Sequence, residues 1–271
     1  MVKSIPLMKI LLVQIRKDAM KQHEYQCVLE KTGLDASELV SFDIFDRLVT
    51  HADLDGCDAL IVGGSGGYCV SEREIVSQIE AMEEVIREAR RRGMPILGLC
   101  FGHHLIAEAL GGEVKQDRER QEVGTFMVER LPASDVDPVF SHLPYSFAAQ
   151  EGHKDHVTTL PPSAIHLAQT SNSPFQAFTF PGEPIYSMQL HPELAKPDVF
   201  TRLEFYRDLY LKSLMDASTT DAGVTAEGVA ASGQNEFEQI MAKTFDTPEA
   251  EKILQLFVNE VVRAGKRYPQ P

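Results

Sequence analysis

The sequence predicts an α/β fold: a mostly parallel central sheet flanked by helices, with a smaller antiparallel β region and a C-terminal helical extension. Three observations predict it. Short apolar runs alternate with helix-period segments from residue 9 to residue 112, the order that builds a parallel sheet. From Gly124 the texture changes to short β-prone runs punctuated by Pro and Gly, which argues hairpins. A stretch poor in large apolar residues then separates these runs from a last segment carrying a helical apolar stripe.

In chain order, Lys-Ile-Leu-Leu-Val at 9–13 reads as the first strand, and 20–31 as a helix stopped by Gly33. Strands follow at 38–43 and 58–62. The latter runs into Gly63-Gly64-Ser65-Gly66-Gly67, a loop at the carboxyl end of a parallel strand, where open α/β sheets bind ligands. That loop has neither dinucleotide-binding nor P-loop spacing. Ser71-Glu72-Arg73-Glu74 reads as a capping box opening a helix to about Arg92, and Arg90-Arg91-Arg92 suits the negative end of that helix. A buried strand at 94–99 and a helix at 102–110 follow, stopped by Gly111-Gly112. The β-prone runs are 125–130, 146–149, 156–160, 164–169, 175–180 and 183–190, and 198–214 reads as a helix. The domain reading is a main domain at 1–215, a linker at 216–232 and a helical extension at 233–271. Thr247-Pro248 looks like the start of that extension's helix, and its stripe through Phe257 and Val261 needs a partner. The main domain supplies one, and a second copy of the chain, hence a homo-oligomer, is the alternative.

The net charge of −14 argues against nucleic acid as a partner. No apolar run approaches the roughly 20 residues of a membrane span. The N-terminal segment lacks a small-residue cleavage site, so no export signal is expected, and the four cysteines read as reduced thiols of a cytoplasmic protein.

The chemistry is expected at Cys100. Gly98-Leu-Cys100-Phe-Gly102 is the cysteine form of a nucleophile elbow, a tight strand-to-helix turn. Helix N–H groups aimed at the sulfur favour thiolate, and the amide of Phe101 is placed to hold an oxyanion, with Gly64 as a second donor. A cysteine between glycines is, alone, more often a small core residue. His191-Pro192-Glu193 at the end of a strand alters those odds. Residues i and i+2 of an extended chain share a face, so Glu193 can orient the imidazole of His191 toward a thiol. A metal held by Cys100, His103, His104, His153 and His156 is disfavoured, because adjacent helical positions cannot face one ion.

Five pieces together resemble the class I glutamine amidotransferases, above all stand-alone proteins related to the amidotransferase part of GMP synthetase. They are Gly63-Gly64-Ser65, Gly98-Leu-Cys-Phe-Gly-His103, Glu122-Val-Gly124, His153-Lys-Asp-His-Val157 leading to Leu160-Pro-Pro, and Met188-Gln-Leu-His-Pro-Glu193. They lie in family order across residues 9–214. The resemblance implies a flavodoxin-like sheet and a Cys-His-Glu triad on Cys100, His191 and Glu193. It also implies an oxyanion hole from the amides of Gly64 and Phe101, and substrate contacts from Gly63, Ser65, His104 and His153, without cofactor or metal. The implied reaction is hydrolysis of the side-chain amide of glutamine, or a related γ-glutamyl compound, through a thioester. Ammonia is released for a synthase on another polypeptide. The alternatives are a γ-glutamyl peptidase without ammonia transfer and a non-catalytic binding protein on the same scaffold. One departure stands out: the family has Gln where this chain has His104, and an imidazole cannot copy a carboxamide's paired donor and acceptor.

Overall fold

The structure, a computed structural model, describes residues 8–218 and 226–267. The first half alternates β1 (Ile10–Ile15), α1 (Met20–Thr32), β2 (Leu39–Asp43), β3 (Ala59–Ser65), α2 (Val76–Arg91), β4 (Ile96–Leu99), α3 (Phe101–Ala109) and β5 (Glu113–Gln116). Six strands follow: β6 (Glu122–Arg130), β7 (Ser146–His153), β8 (Asp155–Thr159), β9 (Ile165–Gln169), β10 (Ala177–Phe180) and β11 (Glu183–Met188). The chain ends in α4 (Lys196–Phe205), α5 (Arg207–Ser218), α6 (Ala226–Lys243), α7 (Ile253–Leu256), a π-helical stretch Phe257–Val262 and α8 (Arg263–Arg267).

Nine strands make one sheet in the order β2-β1-β3-β4-β11-β10-β9-β6-β7, and β5 pairs with β8 apart from it. From β2 to β11 every neighbouring pair is parallel; from β11 to β7 every pair is antiparallel. The predicted α/β architecture therefore holds, and most of its antiparallel region continues the main sheet. One pairing matters most for chemistry. β11 lies parallel to β4 with Met188 opposite Leu99, so two segments distant in sequence end side by side.

The pleat explains the two cores. Ile10 and Leu12 face one side and Leu11, Val13 and Ile15 the other, each fully or nearly fully buried. Val28 of α1 packs on the first side, and α2 and α3 pack on the second through Met82, Ile86, Leu105 and Ile106. Ile253, Phe257, Val258 and Val262 also join the first side, beside Leu12 and Met188. The C-terminal stripe thus finds its partner in the main core rather than hanging off it. A third, smaller cluster of Leu194, Leu203 and Phe237 packs with Tyr210 and Ile240.

Several local expectations give way to tertiary contacts. The stretch 216–232, read as a linker, is helical at 216–218 and again from 226, in keeping with its alanines; 219–225 lie outside the described residues. The capping box at Ser71 does not form, because the amide and hydroxyl of Ser71 donate to Asp155 at 2.9 and 2.6 Å and the helix starts later. The arginine triplet is held by carboxylates: Arg90 by Glu183 at 2.7 Å, Arg91 by Glu88, and Arg92 by Glu88 and Asp55. The helix expected over 198–214 breaks at Tyr206, whose hydroxyl is tied to Arg16 and Asp18 at 3.0 and 2.8 Å. Among the described residues no helix is long and apolar enough to cross a membrane.

Candidate active site

Cys100 stands alone between β4 and α3 with φ 48° and ψ −97°, a left-handed conformation for a residue with a side chain. Such a backbone costs on the order of 1–3 kcal/mol and persists only where its surroundings fix it. The Cys100 amide donates to the carbonyl of Met188 at 2.9 Å, and its carbonyl accepts from His104 at 3.1 Å. The flanking glycines are required by close approach. A Cβ at Gly98 would lie 2.6 Å from the Gly102 carbonyl oxygen, and one at Gly102 would lie 2.2 Å from that of Val62.

Three residues past the end of β11, His191 is pinned by its amide to the carbonyl of Gln150 at 2.9 Å. Its Nδ1 donates to Glu193 Oε1 at 2.8 Å, and Arg202 Nη1 donates to the same oxygen at 3.0 Å. Burial alone would raise the pKa of Glu193, but the charge and hydrogen bond of His191, together with Arg202, carry it down to about 2. The other edge of the imidazole faces the elbow. A Cβ on Gly64 would sit 3.1 Å from His191 Cε1 and 3.9 Å from Cys100 Cβ. One on Gly152 would sit 3.7 Å from His191 Nε2, and Cys100 Sγ lies 3.9 Å from the Gly152 carbonyl. Imidazole and sulfur therefore crowd the same two glycines.

The resting sulfur is a thiol. Burial pushes its pKa up, Glu151 and Glu193 push the same way, and Arg16 opposes them. Desolvation thus outweighs the helix terminus that was expected to favour thiolate.

The remaining expected residues divide. The Gly64 amide, expected at the oxyanion, donates to Glu24 Oε1 at 3.1 Å, a carboxylate also held by Arg16 and Gln14. A Cβ on Gly63 would strike that carboxylate at 3.0 Å, so Gly63 makes room for Glu24 behind the strand. The Phe101 amide, also expected at the oxyanion, lies at the first position of α3, where N–H groups have no partner within their helix. Ser65 folds the loop, its hydroxyl accepting from the amides of Gly67 and Tyr68 at 3.3 and 2.8 Å. A cleft opens beside the sulfur, walled by Ser65, Gly66, Phe101, His104, Gly152 and His153. His104 and His153 reach the wall with nitrogens already engaged. His104 Nε2 donates to Gln189 Oε1 at 2.7 Å, and His153 turns Nδ1 to the Asp155 carbonyl at 2.9 Å and Nε2 to Glu122 at 3.0 Å. His103 points away, bonded to Ser187 at 2.8 Å and packed on Phe178.

Two clusters gather metal-type ligand atoms within 4.8 Å among the described residues: His23, Cys27 and Asp198, and the buried Glu122, Glu151 and His153. In the buried set Glu122 is already closed, accepting from Thr170 and Gln176 at 2.7 Å as well as from His153. Glu151 differs: neither oxygen has a hydrogen-bond partner among the described residues. Burial, then Glu122 and Glu193, raise its pKa well above the carboxylate range, which disfavours its ionisation in the folded chain. A carboxyl with a raised folded-state pKa contributes stability below its unfolded pKa and loses it as pH climbs through the folded value. Glu151→Gln should therefore match the parent near pH 4 and exceed it by about 1–3 kcal/mol at pH 8, read by urea denaturation. A difference independent of pH would mean that Glu151 ionises as freely as in the unfolded chain.

Sequence reasoning missed Arg16, Glu24, Glu151, Gln189 and Arg202. A polar residue inside an apolar strand end, as in Met188-Gln189-Leu190, is the signal that was present for Gln189.

Known proteins resemble this chain in sequence and in fold. The profile of the family Glutamine amidotransferase class-I matches residues 22–199. A glutamine-hydrolysing GMP synthase subunit from Pyrococcus furiosus is 35% identical over 113 residues, covering 42% of this chain and 58% of the relative. The corresponding protein of Methanocaldococcus jannaschii is 35% identical over 117 residues, covering 43% of this chain and 60% of the relative. The chain thus spans somewhat over half the length of these curated relatives. In fold, a glutamine amidotransferase from Thermotoga maritima superposes with TM-score 0.64 at 17% identity over 94% of this chain and 98% of that one. One from Methylobacillus flagellatus gives 0.65 at 16% identity, covering 94% and 96%.

Proposed function

The chain belongs to the class-I glutamine amidotransferase family, and from that premise we propose that it is a cysteine-dependent amidohydrolase. Its substrate is the side-chain amide of glutamine or a related γ-glutamyl compound. The observation that carries this reading is the buried His191–Glu193 pair, 2.8 Å apart, at the edge of a sulfur held at the apex of a strained turn.

In the proposed reaction Cys100 Sγ forms a bond to the amide carbon while His191 Nε2 takes the thiol proton. The carbonyl oxygen becomes an oxyanion within reach of the Phe101 amide. His191 then gives its proton to the departing nitrogen, the C–N bond breaks, and ammonia leaves a γ-glutamyl thioester. Water, deprotonated by His191, hydrolyses the thioester to the acid and restores the thiol. Glu193 holds the ring in one tautomer and stabilises the imidazolium in both halves.

The names of the relatives, separate subunits of a GMP synthase, support an ammonia-accepting partner on another polypeptide. A second reading, a γ-glutamyl hydrolase without transfer, is supported by His104, whose Nε2 is committed to Gln189 rather than open to a substrate carboxamide. Ammonia release from glutamine, set beside cleavage of γ-glutamyl dipeptides, tests both. Steady turnover of glutamine is expected. Dipeptide cleavage with negligible glutaminase activity would establish the second reading, and silence on every substrate would end both.

A further inference from the structure

The elbow holds a polar chain that the mechanism above leaves unused. Gln189 Nε2 lies 3.6 Å from Cys100 Sγ, and Gln189 Oε1 lies 2.7 Å from His104 Nε2. All three side chains are buried, with His104 and Gln189 at 3% and 0% exposure. The direction of each bond follows from valence. A carboxamide oxygen only accepts, so His104 Nε2 must carry the proton and donate. Turning the amide over would set its NH2 against that N–H and point its oxygen at the sulfur. With its proton on Nε2 the imidazole holds Gln189 with its N–H groups toward Cys100.

We propose that Gln189 is the hydrogen-bond donor that steadies negative charge on the Cys100 sulfur, and that His104 is the positioning residue that keeps that donor aimed. This rests on the reading of Cys100 as the nucleophile and assigns His104 a duty other than contacting substrate. An N–H···S bond is weak toward a thiol and strengthens as the sulfur becomes anionic, all the more away from water. Gln189 thus favours the state formed when the proton passes to His191 and gives up no proton itself. It does so where most neighbours do the opposite. Glu151 from β7, Glu193 beyond β11 and Cys69 from the loop after β3 all disfavour the thiolate, and Arg16 just after β1 favours it. Tyr210 from α5 also faces the sulfur, as does the imidazole of His191. Gln189 is uncharged at every pH. Burial lowers the pKa of His104 to about 4, so the clamp is neutral throughout the working range.

The test is the pH profile of Cys100 alkylation by iodoacetamide in the full chain, read on the Cys100 peptide by mass spectrometry so that Cys27, Cys57 and Cys69 do not contribute. Gln189→Leu should raise the midpoint by about one pH unit, roughly a ten-fold slower reaction at pH 7. His104→Ala should move it the same way by less. His104→Gln, whose carboxamide N–H can still donate to Gln189, should react within about two-fold of the parent. Gln189→Met, close in volume, repeats the reading if the leucine variant fails to fold. A midpoint unmoved in the folded Gln189 variants would overturn the proposal. Loss of ammonia release by the parent would remove the proposed function instead, a separate result, since alkylation needs no substrate.

Discussion

Cys100→Ala is expected to lower amide hydrolysis by at least about 10⁴-fold in kcat/KM while the fold survives. The sulfur, the proposed nucleophile, is the only heavy atom lost. The backbone bonds of this residue, to Met188 and from His104, do not involve the sulfur, and alanine fits any space that cysteine filled. The left-handed backbone stays equally strained in both, so it cancels in the comparison. What remains is a small cavity, worth about 1 kcal/mol, which far-ultraviolet circular dichroism and a melting curve would register as a minor shift. Ammonia release within ten-fold of the parent would remove the sulfur from the chemistry.

Gly102→Ala should have the largest effect on folding, a loss of at least about 3 kcal/mol in urea denaturation, or insoluble protein. The new methyl would lie 2.2 Å from the Val62 carbonyl oxygen and 2.9 Å from its carbonyl carbon, both backbone atoms of β3. β3 is bonded on both sides within the sheet, so it cannot retreat without tearing a ladder. Relief would require α3 to lift off the sheet and carry Cys100 with it. Gly93→Ala is the control: its φ is +64° but nothing lies within 4 Å of the added carbon, so only the backbone term of about 1 kcal/mol applies. Equal costs at the two sites would show that close packing does not explain Gly102.

The contrast between these glycines shows what could be read from the chain. Strand–helix alternation, the elbow and the His-Pro-Glu turn are local patterns, written in periodicity and spacing, and they were legible before any coordinates. The parallel pairing of β11 with β4 was not, because nothing in either strand names its neighbour. The same holds for Gly64, whose amide is claimed by Glu24 from a helix forty residues earlier. Ser71 looked like a helix cap, and a carboxylate from β8 took both its donors. The first turns of α6 looked like linker because they lack large apolar residues, yet their alanines favour helix without them. Side chains whose duty is to hold another side chain, such as Arg202 on Glu193 or His104 on Gln189, carry no spacing signature at all.

The ladder joining β4 to β11 has a mechanical corollary. Registers in a sheet change only in whole residues, and keeping each side chain on its own face demands steps of two, a jump of about 7 Å. The spacing of the two strand ends from which the chain runs on to Cys100 and His191 is consequently quantised by the pleat, with no slightly wrong setting for a sliding strand to occupy. Cys100 follows Leu99 directly and His191 comes three residues after Met188, so each turn starts from an end that the ladder holds in place.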